Sequence, residues 1–117
     1  MIRLRRVYDP PDPEADGVRV LVDRLWPRGL SKAAAGVDEW PRPLTPSADL
    51  RKWFHAGGSP EEFRQRYEAE LGVPGAVAEL ERLRDLARTG PLTLLTAVRD
   101  PATSHAAVLA ELLTAAP

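Results

Sequence analysis

The chain has 117 residues, of which 44% are hydrophobic and 28% charged, with a formal net charge of −1 and no cysteine. This length fits one soluble globular unit, so we expect residues 1–117 to form a single domain. The lack of cysteine excludes disulfides, thiolate nucleophiles and cysteine-ligated zinc or iron–sulfur sites. No apolar run reaches the ~18 residues that a membrane span needs, and the start of the chain lacks a signal-peptide apolar segment. We therefore expect a cytoplasmic protein without membrane contact.

The charge balance also bears on function. A near-neutral chain is not typical of proteins that coat DNA, which carry a basic excess. Arginine outnumbers lysine by 14 to 2. Since a GC-rich genome produces the same bias, the arginine count alone does not indicate a function.

The N-terminal half predicts two strands separated by a proline-rich loop. Residues 2–8 nearly alternate between apolar and polar side chains, which favours a strand. Three prolines within residues 9–13 predict a loop without regular structure. Residues 18–25 predict a second strand whose centre is apolar on both faces, as in a strand covered on both sides. Further prolines predict irregular structure over residues 26–46.

The C-terminal half predicts three helices, a strand and a last helix. Ser47 and Ser59 are good N-cap residues for the first two helices. Apolar residues at helical spacing predict a third helix over 76–89, and a short apolar run predicts a strand over 92–98. Asp100 is the expected N-cap of the last helix.

These elements predict the α/β class. We expect a small open sheet of about three or four strands, mostly parallel and flanked by helices. The long helical connection predicts that the second and third strands are parallel neighbours in a right-handed unit. The pairing of the first strand stays open.

The predicted site follows from this topology, because ligands of open α/β sheets bind at the carboxyl ends of the strands. Arg24 and Arg28 follow the second strand, and Arg99 follows the third. Together with a helix N-terminus they would suit a carboxylate or phosphate group. The alternative is structural: Asp23 and Asp100 would pair with these arginines and hold the loops together.

Three more residues are candidates near the same edge. His105 lies on the stripe of the last helix, where the helix dipole and partial burial favour a neutral imidazole that could act as a base, or a satisfied core histidine. Ser104 could offer its hydroxyl to an anion or to the helix start, and its adjacency to His105 excludes a catalytic triad of the two. Trp26 could wall the pocket or belong to the core. We expect no metal and no cofactor, since two histidines without metal-ligand spacing do not indicate a metal site.

The longest distinctive block runs from Val20 to Gly29, and further blocks run from Arg6 to Pro11, from Leu50 to His55 and from Leu92 to Leu95. In these blocks the chain resembles the YeaO-like family of uncharacterised bacterial proteins, which carry a domain of unknown function. The resemblance covers nearly the whole chain. It implies a small α/β domain and supplies no activity.

Differences from the family concern the predicted site. Longer relatives carry Cys-His-Arg where this chain has Ser104-His105-Ala106, and a further cysteine at Thr96. Cysteine-based sulfur or phosphoryl transfer is therefore excluded here. YeaO-like members usually have Tyr at the position of Thr96 and Asn at that of Ser104, so both departures fall at the predicted site.

From these observations we expect a small anionic ligand, such as a phosphate, nucleotide or carboxylate, at the carboxyl edge of the sheet. If the protein is an enzyme, His105 would be the base and the arginines would stabilise negative charge without any cysteine. The alternative is a regulatory module without catalysis that contacts a protein or nucleic acid through Trp26 and the arginines, with nucleic acid not favoured. A homo-oligomer with purely structural ion pairs is a third possibility.

Overall fold

Three parallel strands form one sheet in the computed structural model, which describes residues 1–115. The strands are β1 (Ile2–Arg6), β2 (Val18–Leu21) and β3 (Leu92–Thr96), in the order β1-β3-β2. Leu94 pairs with Leu4 on one side and with Val20 on the other, which fixes the register. The predicted α/β class and the parallel pairing of β2 with β3 are therefore confirmed, and β1 takes the far side of β3.

Helices account for most of the remaining structure. The described residues contain α1 (Pro13–Asp16), α2 (Lys32–Ala35), α3 (Ala48–His55), α4 (Pro60–Glu70), α5 (Pro74–Thr89) and α6 (His105–Thr114). Two short 3₁₀ helices span Arg42–Leu44 and Pro101–Thr103. None of the helices within residues 1–115 is both long and apolar enough to cross a membrane.

The two faces of the sheet are covered differently. Helices α3 to α6 pack on one face, where Val20, Leu94, Tyr67, Leu83 and Leu109 are fully buried in the larger apolar cluster. Burying one such aliphatic side chain contributes roughly 1.5–3 kcal/mol, so this face supplies most of the hydrophobic stabilisation.

The opposite face of the sheet carries a smaller apolar cluster. Leu21 and Leu95 are buried there against Ala35 of α2, together with Trp26 and Trp40 from the irregular segment after β2. The carboxyl end of the sheet therefore lies between a helical layer and a loop layer.

A cluster of charges lies towards the amino end of β2, on the same face as the smaller apolar cluster. Asp16 is fully buried and binds Arg19 at 2.5 Å, Arg5 at 2.9 Å and Arg3 at 3.3 Å. Burial raises the pKa of Asp16, but the backbone N–H of Asp12 and the hydrogen bonds from Arg5 and Arg19 outweigh it and hold the pKa below its ordinary value of 3.8. This pairing allows the nearly buried Arg19 to remain charged inside the fold.

The strands are shorter than predicted, and the reason lies in side chains. In a continued parallel ladder the Ala97 N–H would reach the carbonyl of Val22. Instead it donates to Oδ2 of Asp23 at 2.8 Å, while His105 Nε2 takes the Val22 carbonyl at 3.1 Å. The side chains of Asp23 and His105 thus replace the next backbone hydrogen bond between β2 and β3.

The prediction of wholly irregular loops was wrong at three places, α1, α2 and the 3₁₀ helix Arg42–Leu44, and the last helix begins one turn later than predicted. Asp12 and Ser31 cap the one-turn helices α1 and α2. Asp100 caps the short 3₁₀ helix, and α6 begins only after Ser104, whose Oγ accepts the Ala106 N–H at 3.1 Å. In α1 and α2 a local side-chain cap accompanies a helical turn where the prolines predicted an irregular chain.

Candidate functional site

A cavity of about 980 Å³ lies at the carboxyl end of the sheet. Its walls come from the segments that follow all three strands and from α3, α4 and α6. Five of the six residues predicted from sequence line it: Arg24, Trp26, Arg28, Ser104 and His105. Arg99 does not line it and is exposed.

One of the groups that line the cavity is the hydrogen-bonded carboxylate of Asp23. Asp23 Oδ1 accepts the hydroxyl proton of Thr96 at 2.7 Å and lies 2.9 Å from His105 Nε2, and its Oδ2 accepts the Ala97 N–H. Burial raises the pKa of Asp23, but the hydrogen bond from His105, the Ala97 N–H, the charge of His105 and the Thr96 hydroxyl together outweigh it and lower the pKa below its ordinary value of 3.8. The carboxylate is therefore ionised near neutral pH.

The contacts of His105 define which ring nitrogen carries the proton. Nε2 faces the Val22 carbonyl and the Asp23 carboxylate, both of which only accept, so Nε2 must be the donor. Nδ1 makes no hydrogen bond within residues 1–115 and is not among the buried polar atoms that lack a partner there, so it keeps some exposure to solvent. The ring also meets Tyr67 edge-on, with 6.0 Å between the two ring centroids. His105 is thus held on one side and open on the other.

Ser104 has its hydroxyl occupied locally. Its Oγ donates to the Pro101 carbonyl at 2.7 Å and accepts from the Ala106 N–H. The sequence allowed two roles for this hydroxyl, anion binding and helix capping, and these contacts are those of a helix cap.

Arginines dominate the charge of the cavity wall. Arg24, Arg28 and Arg51 line it, and within residues 1–115 none of them forms an ion pair with a carboxylate. Arg64 also lines it but binds Glu111 at 2.5 Å. The three guanidinium groups without carboxylate partners therefore leave the wall with a positive excess.

Within residues 1–115, Asp23 and Asp100 do not pair with Arg24, Arg28 or Arg99; that pairing was the structural alternative predicted from the sequence. Asp23 pairs with His105 rather than with an arginine, and Asp100 accepts the Ala102 N–H at 3.2 Å. The arginines near the cavity are therefore not held by these carboxylates in the described part of the chain.

Aromatic and apolar side chains form the rest of the wall. Trp26 is half-buried, donates its Nε1–H to the Leu30 carbonyl at 2.7 Å and packs edge-on against Trp40 at 5.5 Å between ring centroids. Across the cavity, Phe54 and Phe63 pack with their centroids 4.6 Å apart. Trp26 thus belongs both to the smaller core and to the cavity wall.

Sequence reasoning gave the wrong role to one residue of the site, gave no role to a second and missed a third. Asp23 was considered only as a structural partner of arginines, whereas it contacts His105. Thr96 was placed at the predicted site without a role, and its hydroxyl donates to the Asp23 carboxylate. Arg51 lies three residues before Phe54 on α3, and this spacing, which places both on one helix face, was the available signal.

The described residues contain no group of three or more His, Cys, Asp or Glu side chains able to hold a metal ion. Guanidinium, imidazole and carboxylate groups are among the polar groups that line the cavity.

Comparison with known proteins identifies the family. Residues 1–116 match the family model described as the inactive DUF488-N3 subclade. The chain is 46% identical over 113 residues to the uncharacterized protein YeaO of Escherichia coli (strain K12), which covers 96% of both chains. The chain belongs to the YeaO-like family. It is also 47% identical over 115 residues to the uncharacterized proteins Rv3073c of Mycobacterium tuberculosis (strain ATCC 25618 / H37Rv) and Mb3100c of Mycobacterium bovis (strain ATCC BAA-935 / AF2122/97), covering 96% of this chain and 92% of theirs. No solved structure matches the chain.

The YeaO-like block from Val20 to Gly29 has a clear structural meaning here. Its first residues form the end of β2, Asp23 orients His105, and the following loop presents Arg24, Trp26 and Arg28 to the cavity. The segment that carries the family resemblance is therefore also the segment that builds one wall of the cavity.

Proposed function

We propose that this YeaO-like protein binds a small anionic ligand, such as a phosphate, nucleotide or carboxylate, in the cavity at the carboxyl end of its sheet. The observation that carries the proposal is the set of three cavity-lining arginines, Arg24, Arg28 and Arg51, which have no carboxylate partner within residues 1–115. Arginines that serve only the scaffold are commonly paired, as Arg19 is with the buried Asp16.

The arginines suit an anion for chemical reasons. A guanidinium group offers a planar pair of N–H donors that fits two oxygens of a phosphate or carboxylate, and it stays charged at any physiological pH. The volume of about 980 Å³ is at the upper end of what small-molecule sites have, about 300–1,000 Å³, so it has room for more than an inorganic ion.

Binding, rather than catalysis, is the function proposed first. The matching family model is described as inactive, and this chain has no cysteine to serve as a nucleophile. A cavity with a positive wall and no thiol is consistent with a protein that holds an anion.

Thermal unfolding in the presence of phosphate, adenosine monophosphate and citrate tests the proposal. At a ligand concentration 100 times the dissociation constant, binding stabilises the folded state by about 2.7 kcal/mol. For a chain of this length that corresponds to a rise in Tm of roughly 10 °C. Each anion is compared with its sodium chloride equivalent at equal ionic strength, so that general salt effects are removed.

Two arginine variants serve as a matched pair. Arg28→Ala removes a guanidinium from the cavity wall and is expected to reduce the anion-induced rise in Tm by more than half. Arg99→Ala removes a guanidinium of another exposed arginine, one that does not line the cavity, and the rise should remain. If no anion raises the Tm, or if the two variants behave alike, the proposed function is wrong.

One observation favours a second candidate, a regulatory module that contacts a macromolecule. Leu25 is 61% exposed between Arg24 and Trp26, which is the kind of apolar and basic surface that a partner covers. If the partner were a nucleic acid, its binding would weaken steeply between about 50 and 200 mM salt. A flat salt response, or no binding of mixed DNA and RNA, would exclude a nucleic-acid partner. The macromolecule of this second candidate function would then be a protein.

A further inference from the structure

We propose that the ligand of this cavity is an aromatic anion, a molecule in which a phosphate or carboxylate group is attached directly to an aromatic ring. Arg51 binds the anionic group and Phe54 binds the ring. The inference rests on the proposed anion-binding function and narrows it, because inorganic phosphate and citrate have no ring. The observation that carries it is a cation without a partner next to an accessible aromatic side chain on α3.

Arg51 is the cavity arginine whose charge is least accessible to water. Arg24 and Arg28 are exposed, whereas Arg51 is half-buried. Its guanidinium forms neither an ion pair nor a hydrogen bond within residues 1–115. Partial burial of a charge without a counter-ion costs free energy, and a bound anion offsets this cost with charge-assisted hydrogen bonds.

Phe54 supplies the aromatic surface beside this charge. Residues three apart on a helix are neighbours on its surface, so the side chains of Arg51 and Phe54 lie next to each other, and both line the cavity. The Phe54 ring packs against the ring of Phe63 with 4.6 Å between their centroids. Phe63 is buried, whereas Phe54 is half-buried and keeps part of its surface accessible. One small molecule can therefore contact the cation and the ring together.

Other lining residues add apolar surface to the cavity. Pro46 lies just before α3, Pro60 begins α4 and Val108 belongs to α6, and all three line the cavity. Trp26 adds a second half-buried aromatic side chain. Mostly apolar walls with a few charged groups are typical of sites for organic ligands rather than for inorganic ions.

The carboxylates of the cavity do not oppose an anion. Two carboxylates are found among the lining residues that the structure describes. Asp23 contacts His105 at 2.9 Å, and Glu111 binds Arg64 at 2.5 Å. Since both negative charges have partners, the positive charge of Arg51 remains available to a ligand.

The ring of the ligand contributes affinity through the hydrophobic effect. An inorganic ion bound to Arg51 would leave the apolar walls in contact with water, whereas an attached ring removes its own surface and that of Phe54 from water. Burial of a ring against aromatic and aliphatic side chains is expected to raise the affinity about tenfold.

Three probes separate the contribution of the ring from that of the charge. Phenyl phosphate carries both, methyl phosphate carries the phosphate without a ring, and phenol carries the ring without the phosphate. NMR titration near neutral pH at constant ionic strength gives the three dissociation constants. We expect phenyl phosphate to bind about tenfold more tightly than either of the other two probes.

Variants of α3 test the two assigned residues. Phe54→Leu removes the ring but keeps an apolar side chain, and it should lower the ratio of the methyl phosphate and phenyl phosphate dissociation constants from about ten to below about three. Arg51→Ala should weaken the binding of phenyl phosphate about tenfold. Lys52→Ala is the matched control, because Lys52 is the next cation on α3, is exposed and does not line the cavity. Its dissociation constant for phenyl phosphate should stay within about twofold of the wild-type value.

Contacts in the wild-type protein provide a test that does not depend on the folding of a variant. The chain has two phenylalanines, so the aromatic protons of Phe54 can be assigned directly. Nuclear Overhauser effects are expected between these protons and the ring of bound phenyl phosphate. Effects only to the exposed side chains of Tyr8 and Leu25 would overturn the assignment of the ring to Phe54.

The outcomes separate this inference from the proposed function. If phenyl phosphate and methyl phosphate bind equally well, the preference for an aromatic anion is overturned and the anion-binding function stands. If phenol binds as tightly as phenyl phosphate, the role of Arg51 is overturned. If neither phosphate ester binds and phosphate, adenosine monophosphate and citrate also fail to bind, the inference and the proposed function are both wrong.

Discussion

Replacing Asp23 with Asn tests the central feature of the site, the carboxylate on which three donors converge. Its two oxygens receive the Thr96 hydroxyl, the Ala97 N–H and the His105 Nε2–H at 2.7–2.9 Å. An asparagine of the same shape has one carbonyl oxygen and an NH₂ group, so the NH₂ group must face at least one donor. We expect the folded state to be destabilised although no volume is lost.

The magnitude follows from the number of affected bonds. Hydrogen bonds to a charged group contribute about 1.5–3 kcal/mol each, and the Thr96 hydroxyl and the His105 ring can each reorient to recover part of the loss. The free energy of unfolding should therefore fall by roughly 2–4 kcal/mol, which corresponds to a Tm about 8–16 °C lower for a chain of this size.

Urea unfolding at pH 7 measures the difference, with Asp100→Asn as the matched control. Asp100 is exposed and caps a short 3₁₀ helix, where Asn is as good a cap as Asp, so that variant should stay within about 0.5 kcal/mol of the wild type. If Asp23→Asn is as stable as Asp100→Asn, the carboxylate is not the organising group of the site, and the reasoning is refuted.

Three further predictions concern the scaffold. Burial raises the pKa values of Asp16 and Asp23, but hydrogen bonds and nearby positive charge outweigh it and hold both pKa values below their ordinary value of 3.8. The stability that these two carboxylates contribute is therefore complete above that pH and is lost as the pH falls through the lower pKa values of the folded state. Acid unfolding followed by circular dichroism should show this loss, and an Asp23→Asn variant that loses as much stability in acid as the wild type would contradict the prediction. Tyr67→Phe removes the buried hydroxyl that donates to the Leu44 carbonyl at 2.5 Å. The free energy of unfolding measured in urea should fall by about 1–3 kcal/mol. An unchanged midpoint would show that water satisfies this carbonyl. Gly17→Ala should lower the free energy of unfolding by about 3 kcal/mol or more, because Gly17 has a φ of 60° and a Cβ would lie 2.0 Å from the Pro91 carbonyl oxygen. Soluble expression of this variant with the wild-type Tm would contradict the prediction.

The sequence by itself determined the class of the fold and the edge at which a site should lie. A nearly alternating pattern indicated β1, apolar runs indicated β2 and β3, and serine caps indicated the starts of α3 and α4. These signals are local, because each depends on residues a few positions apart. The rule that parallel strands present their carboxyl ends at one edge then placed Arg24, Arg28 and His105 together, and all three line the cavity.

Only the tertiary structure decided what these residues do to one another. The pairing of Asp23 with His105 joins positions 82 residues apart, and no local pattern reports such a contact. The same long-range contacts ended β2 and β3 earlier than their apolar runs predicted, because the carboxylate and the imidazole take the backbone groups that the next rung would use. Arg51 lines the cavity because of the way α3 packs. Arg99 lies outside the cavity because of the path that the chain takes after β3. Residue type and spacing fix which chemistry is available, whereas the orientation of a ring nitrogen or a guanidinium depends on neighbours that are distant in sequence and are brought together by the buried core.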